Sequence, residues 1–168
     1  MKTLDLCQFP LDSLSLIEAS AGTGKTYAVA NLYLRYLLEQ KLGVDEILVV
    51  TFTEAATQEL RDRVRARIQE LSQVLNGEPS DDEVLNYLYQ QSSDIEADKL
   101  RLRIAERQID QSEIHTIHGF CQQLLARHAL DLNVAFTQNL MEDTKPLLLR
   151  VCEDYWRQEV FALPQELL

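Results

Sequence analysis

Basic residues are scarce in this sequence, and their scarcity excludes one broad class of protein. Lysine and arginine number 16 against 27 aspartate and glutamate residues, which gives a formal net charge of −11 at pH 7. A chain with this balance is not a uniformly basic protein that coats nucleic acid. The overall charge does not exclude a local surface that binds anions.

Cysteines are also few, and long apolar runs are missing. The three cysteines are odd in number and far apart, at positions 7, 121 and 152, so the sequence predicts no disulfide framework and a reducing environment. Asp5, Pro10 and Asp12 interrupt any apolar core of a signal peptide. No apolar run approaches the roughly 20 residues of a membrane span. We therefore expect a cytoplasmic protein that does not enter a membrane.

The charges that are present are unevenly distributed. Residues 61–67 contain four arginines and one acid, and residues 99–107 contain four basic residues and one acid. Residues 78–98, which lie between these two basic segments, contain seven acids and no lysine or arginine. The basic segments could form an anion-binding face, but the default interpretation of such a charge run is a solvated helix face.

Hydrophobic periodicity predicts an α/β fold at the start of the chain. Residues 15–19 form a short apolar segment typical of a strand, and a helical pattern follows Lys25. The run ILVVTF at 47–52 predicts a strand buried on both faces, after which Thr53 is placed to cap a long helix. Strand, loop, helix, strand and helix in this order predict a parallel βαβ arrangement.

Beyond the breaker NGEPSDD at 76–82 the pattern becomes mainly helical. It predicts helices at about 82–91, 94–110, 117–130 and 142–160, with a possible short strand at 113–117. We expect residues 1–75 to begin an α/β core, residues 76–112 to form a helical insertion, and residues 113–168 to return to the core.

Residues 17–26, IEASAGTGKT, have the pattern of a phosphate-binding loop between a strand and a helix. Small residues let backbone N–H groups approach phosphate oxygens, and the helix directs its positive N-terminal end at the same anion. Lys25 would contact the β- and γ-phosphates, and the Thr26 hydroxyl would bind Mg²⁺. Alanine at 19 in place of the usual first glycine relaxes the pattern without destroying it. The predicted nucleotide contacts are Ala19, Ser20, Ala21, Gly22, Thr23, Gly24, Lys25, Thr26 and Tyr27.

Two other segments carry functional groups. Phe52 is a candidate stacking platform for a base, and Thr51 and Thr53 could bind phosphates; a buried Phe52 beside a capping Thr53 is the structural alternative. The spacing of His115, His118 and Cys121 suggests a metal site, but it offers no evident fourth ligand and does not match common zinc sites.

Three segments together resemble motifs I, Ia and Ib of superfamily 1 helicases of the UvrD type. They are EASAGTGKT at 18–26, VVTFTEAATQELRDRV at 49–64 and TIHGFC at 116–121, and the likeness runs from Leu11 nearly to the C-terminus. Within that family the chain looks most similar to the N-terminal part of RecB-type subunits of exodeoxyribonuclease V. The fold implied is a P-loop NTPase (RecA-like) core with a parallel sheet and a mainly helical insertion, helix-rich overall. The resemblance also implies that residues 1–75 begin the ATP-binding motor domain and that residues 113–168 return to the motor core.

The resemblance implies ATP and Mg²⁺ as cofactors, with binding by the loop at 22–26. It implies contact with single-stranded DNA by Thr51, Phe52, Thr53, Thr116, His118 and Gly119. It also implies duplex-end DNA and the RecC and RecD subunits as partners, and a role in double-strand-break repair. Tyr27 departs from the arginine that is common in these relatives, and no adenine-sensing glutamine motif is evident in the sequence.

Hydrolysis of ATP needs carboxylates that complete the Mg²⁺ site and orient water. No predicted strand of this sequence ends in an Asp–Glu pair, so we expect part of a longer protein that binds ATP·Mg²⁺ without turning it over. Two alternatives stay open at this point: a small phosphoryl-transfer kinase, and a non-catalytic chain that only binds a partner.

Overall fold

A computed structural model describes residues 4–20, 22–131 and 143–160 of the chain. The chain divides into two compact units, Met1–Gln123 and Leu124–Leu168. The first unit contains the phosphate loop, a small sheet and four of the helices. All of the described candidate site residues lie in this first unit.

Helix α1, Lys25–Leu38, follows the phosphate loop directly. Its inward side carries Ala30, Tyr33, Leu34 and Leu37, which are all buried. Buried Arg35 donates to the carbonyl oxygens of Leu6 (2.8 Å) and Phe9 (2.6 Å), and thereby fastens the N-terminal segment to α1. A charged guanidinium thus satisfies backbone groups that have no partner strand.

Strand β1, Val49–Thr51, leads into the longest helix, α2, Glu54–Leu75. The Thr53 hydroxyl accepts a hydrogen bond from the Ala56 N–H at 3.1 Å, which confirms the predicted N-cap. The apolar residues at 60, 64, 68, 71 and 75 recur at helical spacing and are all buried. Helix α2 packs against α1 and against the two helices that follow it.

Helix α3, Glu83–Gln91, and helix α4, Ile95–Gln108, both begin at an aspartate cap. The Asp82 carboxylate accepts from the backbone N–H groups of Val84 and Leu85, and Asp94 accepts from Ala97. A single 3₁₀ turn, Ile109–Gln111, closes α4. The predicted helices at 82–91 and 94–110 are thereby confirmed to within a few residues at each end.

Strand β2, Ile114–Thr116, pairs with β1 in a parallel two-stranded sheet, and Thr51 lies opposite Thr116. The parallel orientation follows from the long crossover through α2, α3 and α4 that separates the strands. Helix α5, Ile117–Arg127, starts at the residue after β2. The carboxyl ends of both strands therefore lie side by side; α5 follows β2 directly, and α2 follows β1 after the two residues Phe52 and Thr53.

The hydrophobic core of this unit lies among α1, α2, α3 and α4. Its fully buried members include Leu34, Ile68, Leu88, Leu102 and Ile114, so each of these helices and β2 contributes at least one. In the second unit the described elements are the end of α5, helix α6, Lys145–Tyr155, and a π-helical turn, Trp156–Val160. None of the residues in α6 is buried.

Two expectations about strands are wrong. Residues 15–19 form no strand, and Leu14 and Leu16 are exposed, because no strand in the described part of the chain pairs with them. Strand β1 is not buried on both faces: Val49 packs on the core, whereas Val50 points the opposite way and is exposed.

The architecture is a helix-rich α/β fold whose described part contains a two-stranded parallel sheet. The larger RecA-like sheet and the division into a motor core and a helical insertion stay predictions. Among the described residues, no helix is long and apolar enough to cross a membrane.

Candidate functional site

The phosphate loop owes its shape to two glycines in left-handed backbone conformations. Gly22 has a φ of 75° and Gly24 a φ of 88°, and a Cβ added to either would meet no atom within 4 Å. The backbone conformation, and not a lack of space, therefore requires glycine at both positions. Inside the loop, the Thr23 hydroxyl donates to the Ser20 carbonyl oxygen at 2.7 Å.

Lys25 is the charged group of this loop. Its Nζ donates to the carbonyl oxygens of Ala19 (2.8 Å) and Ser20 (2.6 Å), and the side chain remains exposed. Gly24 is the N-cap of α1, and no side chain in the described residues caps the first amides of that helix. An ammonium group, the Thr26 hydroxyl and uncapped helix amides form a donor set that suits a triphosphate with Mg²⁺.

These contacts locate most of the predicted nucleotide residues in one loop and the first turn of α1. Residues 19, 20 and 22–27 lie on this segment, whereas Ala21 lies outside the described residues. If ATP·Mg²⁺ binds here, Lys25 would hold phosphate oxygens and Thr26 would hold the metal, which in turn would neutralise phosphate charge.

Tyr27, the next residue of α1, is anchored away from the loop. Its hydroxyl donates to Asp82 Oδ2 at 2.8 Å, and its ring centre lies 5.2 Å from the guanidinium carbon of Arg67. Burial and the hydrogen bond to Asp82 raise the pKa of the Tyr27 hydroxyl, which keeps it protonated as a donor. A residue adjoining the phosphate loop is thereby tied to the start of α3.

Arg67 is the centre of the network that holds Tyr27. Only 5% of this residue is exposed. Its guanidinium donates twice to Asn31 Oδ1 (3.1 and 2.5 Å), once to Glu70 (2.6 Å) and once to Asp82 Oδ1 (3.0 Å). Three helices, α1, α2 and the beginning of α3, therefore meet at one buried cation.

The charges in this network support each other. Burial opposes ionisation of the Asp82 carboxyl, but hydrogen bonds from Arg67, the Leu85 N–H and Tyr27 outweigh burial and lower its pKa. Burial likewise opposes the charge on Arg67, yet its bonds to Asp82 and Glu70 raise its pKa. Asp82 and Arg67 are thus ionised together, as a partly buried pair needs to be.

At the end of β1, three threonines form a second cluster. The hydroxyls of Thr51 and Thr57 lie 2.5 Å apart, and each also lies within hydrogen-bond distance of the Thr53 carbonyl oxygen, at 3.2 and 3.1 Å. Thr57 is buried and Thr51 is half-buried. These bonds fix the turn from β1 into α2, on which Phe52 lies.

The end of β2 is joined to this turn through Glu54. The Thr116 hydroxyl donates to Glu54 Oε1 at 3.0 Å and accepts from the Gly119 N–H at 3.1 Å. Arg61 of α2 donates to the Ile114 carbonyl oxygen of β2 at 2.9 Å. The structure therefore brings the predicted DNA residues of both segments to one edge of the sheet.

The predicted DNA residues differ in what they present to solvent. Phe52 is 88% exposed, which contradicts the alternative of a buried aromatic, and His118 is also exposed. Thr51 and Thr116 instead direct their hydroxyls to partners inside the protein. Exposed aromatic rings are the groups on which unpaired bases stack.

The structure does not bring His115, His118 and Cys121 together as a metal site. In the described part of the chain, no group of three or more His, Cys, Asp or Glu side chains is placed to hold a metal ion. His115 lies instead with Nε2 2.7 Å from Glu113 Oε2.

Sequence reasoning missed three residues: Asn31, Arg67 and Asp82. The four arginines at 61–67 were interpreted as a solvated face, but Arg67 is buried and Arg61 bonds the backbone of β2. The signal for Arg67 lay in its position, because residue 67 falls seven residues after Leu60 and three after Val64, on the apolar face of α2.

Comparison with known proteins agrees with the geometry. The profile of the UvrD/REP helicase N-terminal domain matches residues 5–166. RecBCD enzyme subunit RecB of Escherichia coli K12 is 44% identical over 99% of this chain, which spans 15% of that protein's length. The Haemophilus influenzae RecB is 41% identical over 94% of the chain, and the Mycobacterium tuberculosis H37Rv RecB is 39% identical over 83%. The chain spans 14% and 13% of those two relatives. It therefore belongs to the UvrD/REP helicase family.

Proposed function

We propose that the chain is the ATP- and single-stranded-DNA-binding part of an ATP-dependent DNA helicase subunit. The observation that carries the proposal is the loop at 19–26, with two left-handed glycines and an exposed lysine before an uncapped helix, in a chain of this family. A phosphate loop alone is shared by many enzymes, and family membership selects the helicase among them. It does not favour the small kinase.

The DNA-binding half of the proposal is supported by the paired strand ends. Exposed Phe52 and His118 follow β1 and β2, which lie side by side with their carboxyl ends at the same edge. Phe52 would stack on a base, while backbone amides and hydroxyls of the two turns would contact phosphates. The fixed turns would hold these groups in one orientation before DNA arrives.

The wider role follows from what the relatives are called. RecBCD enzyme subunit RecB names a member of a three-part enzyme, so RecC- and RecD-type subunits and duplex-end DNA are the partners we propose. Double-strand-break repair and homologous recombination in the cytoplasm, with helicase and exonuclease activity in the complete enzyme, are the corresponding role. Residues 1–75 and 113–168 would be motor core, and residues 76–112 a helical insertion.

We further propose that these 168 residues bind ATP·Mg²⁺ and do not hydrolyse it. Strand β1 runs into Phe52 and Thr53, and β2 runs into Ile117 and His118, so neither strand ends in a pair of carboxylates. In the described residues neither strand therefore places such a pair next to the phosphate loop, so a bound metal would lack its acidic ligand and water its orienting group.

Nucleotide binding is tested by titrating a fluorescent ATP analogue into the chain with Mg²⁺. We expect saturable binding. Lys25→Ala should weaken it by roughly tenfold or more, because the charge-assisted bonds to phosphate are lost. Stability should change by less than about 0.5 kcal/mol, since Lys25 is exposed and bonds only its own loop. Equal binding by the variant, or steady ATP turnover that Lys25→Ala abolishes, would contradict these proposals.

DNA binding is tested by fluorescence anisotropy with labelled oligo(dT). We expect binding that weakens steeply as salt rises, because phosphate contacts release counterions. Nucleoside monophosphates serve as the contrasting ligands. Phosphoryl transfer to one of them would support the kinase alternative and contradict the helicase proposal.

A further inference from the structure

We propose that Glu54 is a positioning residue for single-stranded DNA. Its carboxylate holds the Thr116 hydroxyl, and through that hydroxyl it orients the first turn of α5 relative to Phe52. This inference rests on the proposed DNA-binding function. It assigns a role to a residue that would not itself contact the strand.

The hydrogen-bond geometry gives this contact a fixed direction. A carboxylate can only accept, so the single hydroxyl proton of Thr116 is donated to Glu54 Oε1 at 3.0 Å. The hydroxyl oxygen is then left to accept the Gly119 N–H at 3.1 Å. Thr116 is 7% exposed, so both bonds are made at a buried hydroxyl, although Glu54 itself is exposed.

The same contact joins two segments that are remote in sequence. Glu54 lies in the first turn of α2, two residues after Phe52, and Thr116 ends β2, two residues before His118. The two bonded residues are 62 positions apart. This side-chain bond therefore acts with the β1–β2 pairing to fix the spacing between the two exposed groups proposed to contact DNA.

Gly119 shows how closely the Thr116 hydroxyl is confined. A Cβ added at Gly119 would lie 3.1 Å from Thr116 Oγ1, which is a tight contact. Because that oxygen is held by Glu54 on its other side, it cannot move away without losing a bond. The first turn of α5 therefore leaves the Thr116 hydroxyl a single position.

The negative charge of Glu54 argues for a positioning role and against direct contact with DNA. A carboxylate beside a phosphate backbone repels it, so Glu54 opposes DNA binding by its charge alone. A negative group in the first turn of α2 stabilises the helix dipole, which is the purely structural alternative. Glu54→Gln removes the negative charge, and with it both the repulsion of phosphate and the effect on the helix dipole. It keeps an oxygen that can accept the Thr116 hydroxyl proton.

The test compares Glu54→Ala and Glu54→Gln with a matched control, Glu59→Ala, by oligo(dT) anisotropy. Glu59 is an exposed glutamate of the same helix whose side chain makes no hydrogen bond in the part of the chain that the structure describes. We expect roughly tenfold weaker binding for Glu54→Ala, because one charge-assisted hydrogen bond is lost. Glu54→Gln and Glu59→Ala should stay within about twofold of the wild type or bind more tightly.

Thr116 supplies the second pair of variants. Thr116→Val, which removes the hydroxyl at constant shape, should weaken binding as Glu54→Ala does, and Thr116→Ser should restore it. The double variant Glu54→Ala with Thr116→Val should be no weaker than either single variant, because the same bond is removed. Thermal melts of each variant report its folded fraction.

The outcomes separate the two proposals. Failure of the folded wild type to bind oligo(dT) would overturn the proposed function and this inference with it. Wild-type binding that Glu54→Ala leaves unchanged, or that Glu54→Gln weakens equally, would overturn the positioning role alone. If Glu54→Ala does not fold, then Thr116→Val and Thr116→Ser decide the question in the same way.

Discussion

Replacement of buried Arg67 by alanine should be the most destabilising single change in the network around Tyr27. The change leaves Asn31 Oδ1 buried without a donor, because Asn31 keeps only the bond from its Nδ2 to the Tyr27 carbonyl oxygen at 2.9 Å. An unsatisfied buried acceptor costs about 1–3 kcal/mol. The Asp82 carboxylate loses its cation as well, and breaking one side of a buried pair typically costs about 3–5 kcal/mol in total.

We therefore expect Arg67→Ala to lower the free energy of unfolding by about 3–5 kcal/mol, out of a typical total of about 5–15 kcal/mol. With a slope of about 1–3 kcal/mol per molar urea, the midpoint of unfolding should fall by at least roughly 1 M. Arg67→Lys should have an intermediate effect on stability, because an ammonium keeps the charge but offers three donors on one nitrogen in place of the planar fork that makes four bonds here.

The assay is urea unfolding followed by far-ultraviolet circular dichroism, with Arg63→Ala as the control. Arg63 is an exposed arginine of the same helix, and in the described residues it makes no hydrogen bond or ion pair. Its replacement should change stability by less than about 0.5 kcal/mol. Equal midpoints for Arg67→Ala and Arg63→Ala would refute the reasoning.

Three further changes test other contacts. Since the folded-state pKa of Asp82 is lowered, its contribution to stability is present above its ordinary pKa near 4 and is lost as pH falls through the lower folded value. In Asp82→Asn, the melting temperature should therefore fall less as the pH is lowered than it does in the wild type. The same pH dependence of the melting temperature in both proteins would contradict this expectation. Thr53→Ala should lower stability by about 1 kcal/mol through loss of the α2 cap, with Thr53→Ser close to wild type in the same melts. Phe52→Ala should weaken oligo(dT) binding by about 1–3 kcal/mol in anisotropy without lowering stability, because the ring is 88% exposed; a melting point that falls instead would make Phe52 structural.

The helices were predictable because their signals are local. The apolar spacing in α2 and the capping threonine before it identify that helix without any tertiary information. The short strand β2 was also anticipated, as a possible strand at 113–117 between two helical patterns. The segment at 15–19 has an equally apolar pattern but no strand pairs with it in the described part, and pairing is not encoded in one segment.

The candidate site was predicted where it is built from short motifs, and missed where it depends on remote contacts. The phosphate loop was identified from its motif, and the left-handed glycines found there fit that motif. The exposure of Phe52 was one of two alternatives that the sequence left open. The bond from Thr116 to Glu54 and the buried position of Arg67 need the packing of α2 against β2 and α1. The charge pattern alone does not distinguish the four arginines, whereas the place of Arg67 on the apolar face of α2 indicates that it is the buried one.

The crossover between the two strands has a consequence for the order of folding. Strand β1 pairs with β2 only after the chain has passed through α2, α3 and α4, so the sheet depends on contacts between residues far apart in sequence. Closing the long loop between the strands costs conformational entropy, so such contacts form late, after the local helices. The edge carrying Phe52 and His118 would then be completed in the last stage of folding. A refolding experiment should recover the circular dichroism of the helices before it recovers affinity for a DNA strand.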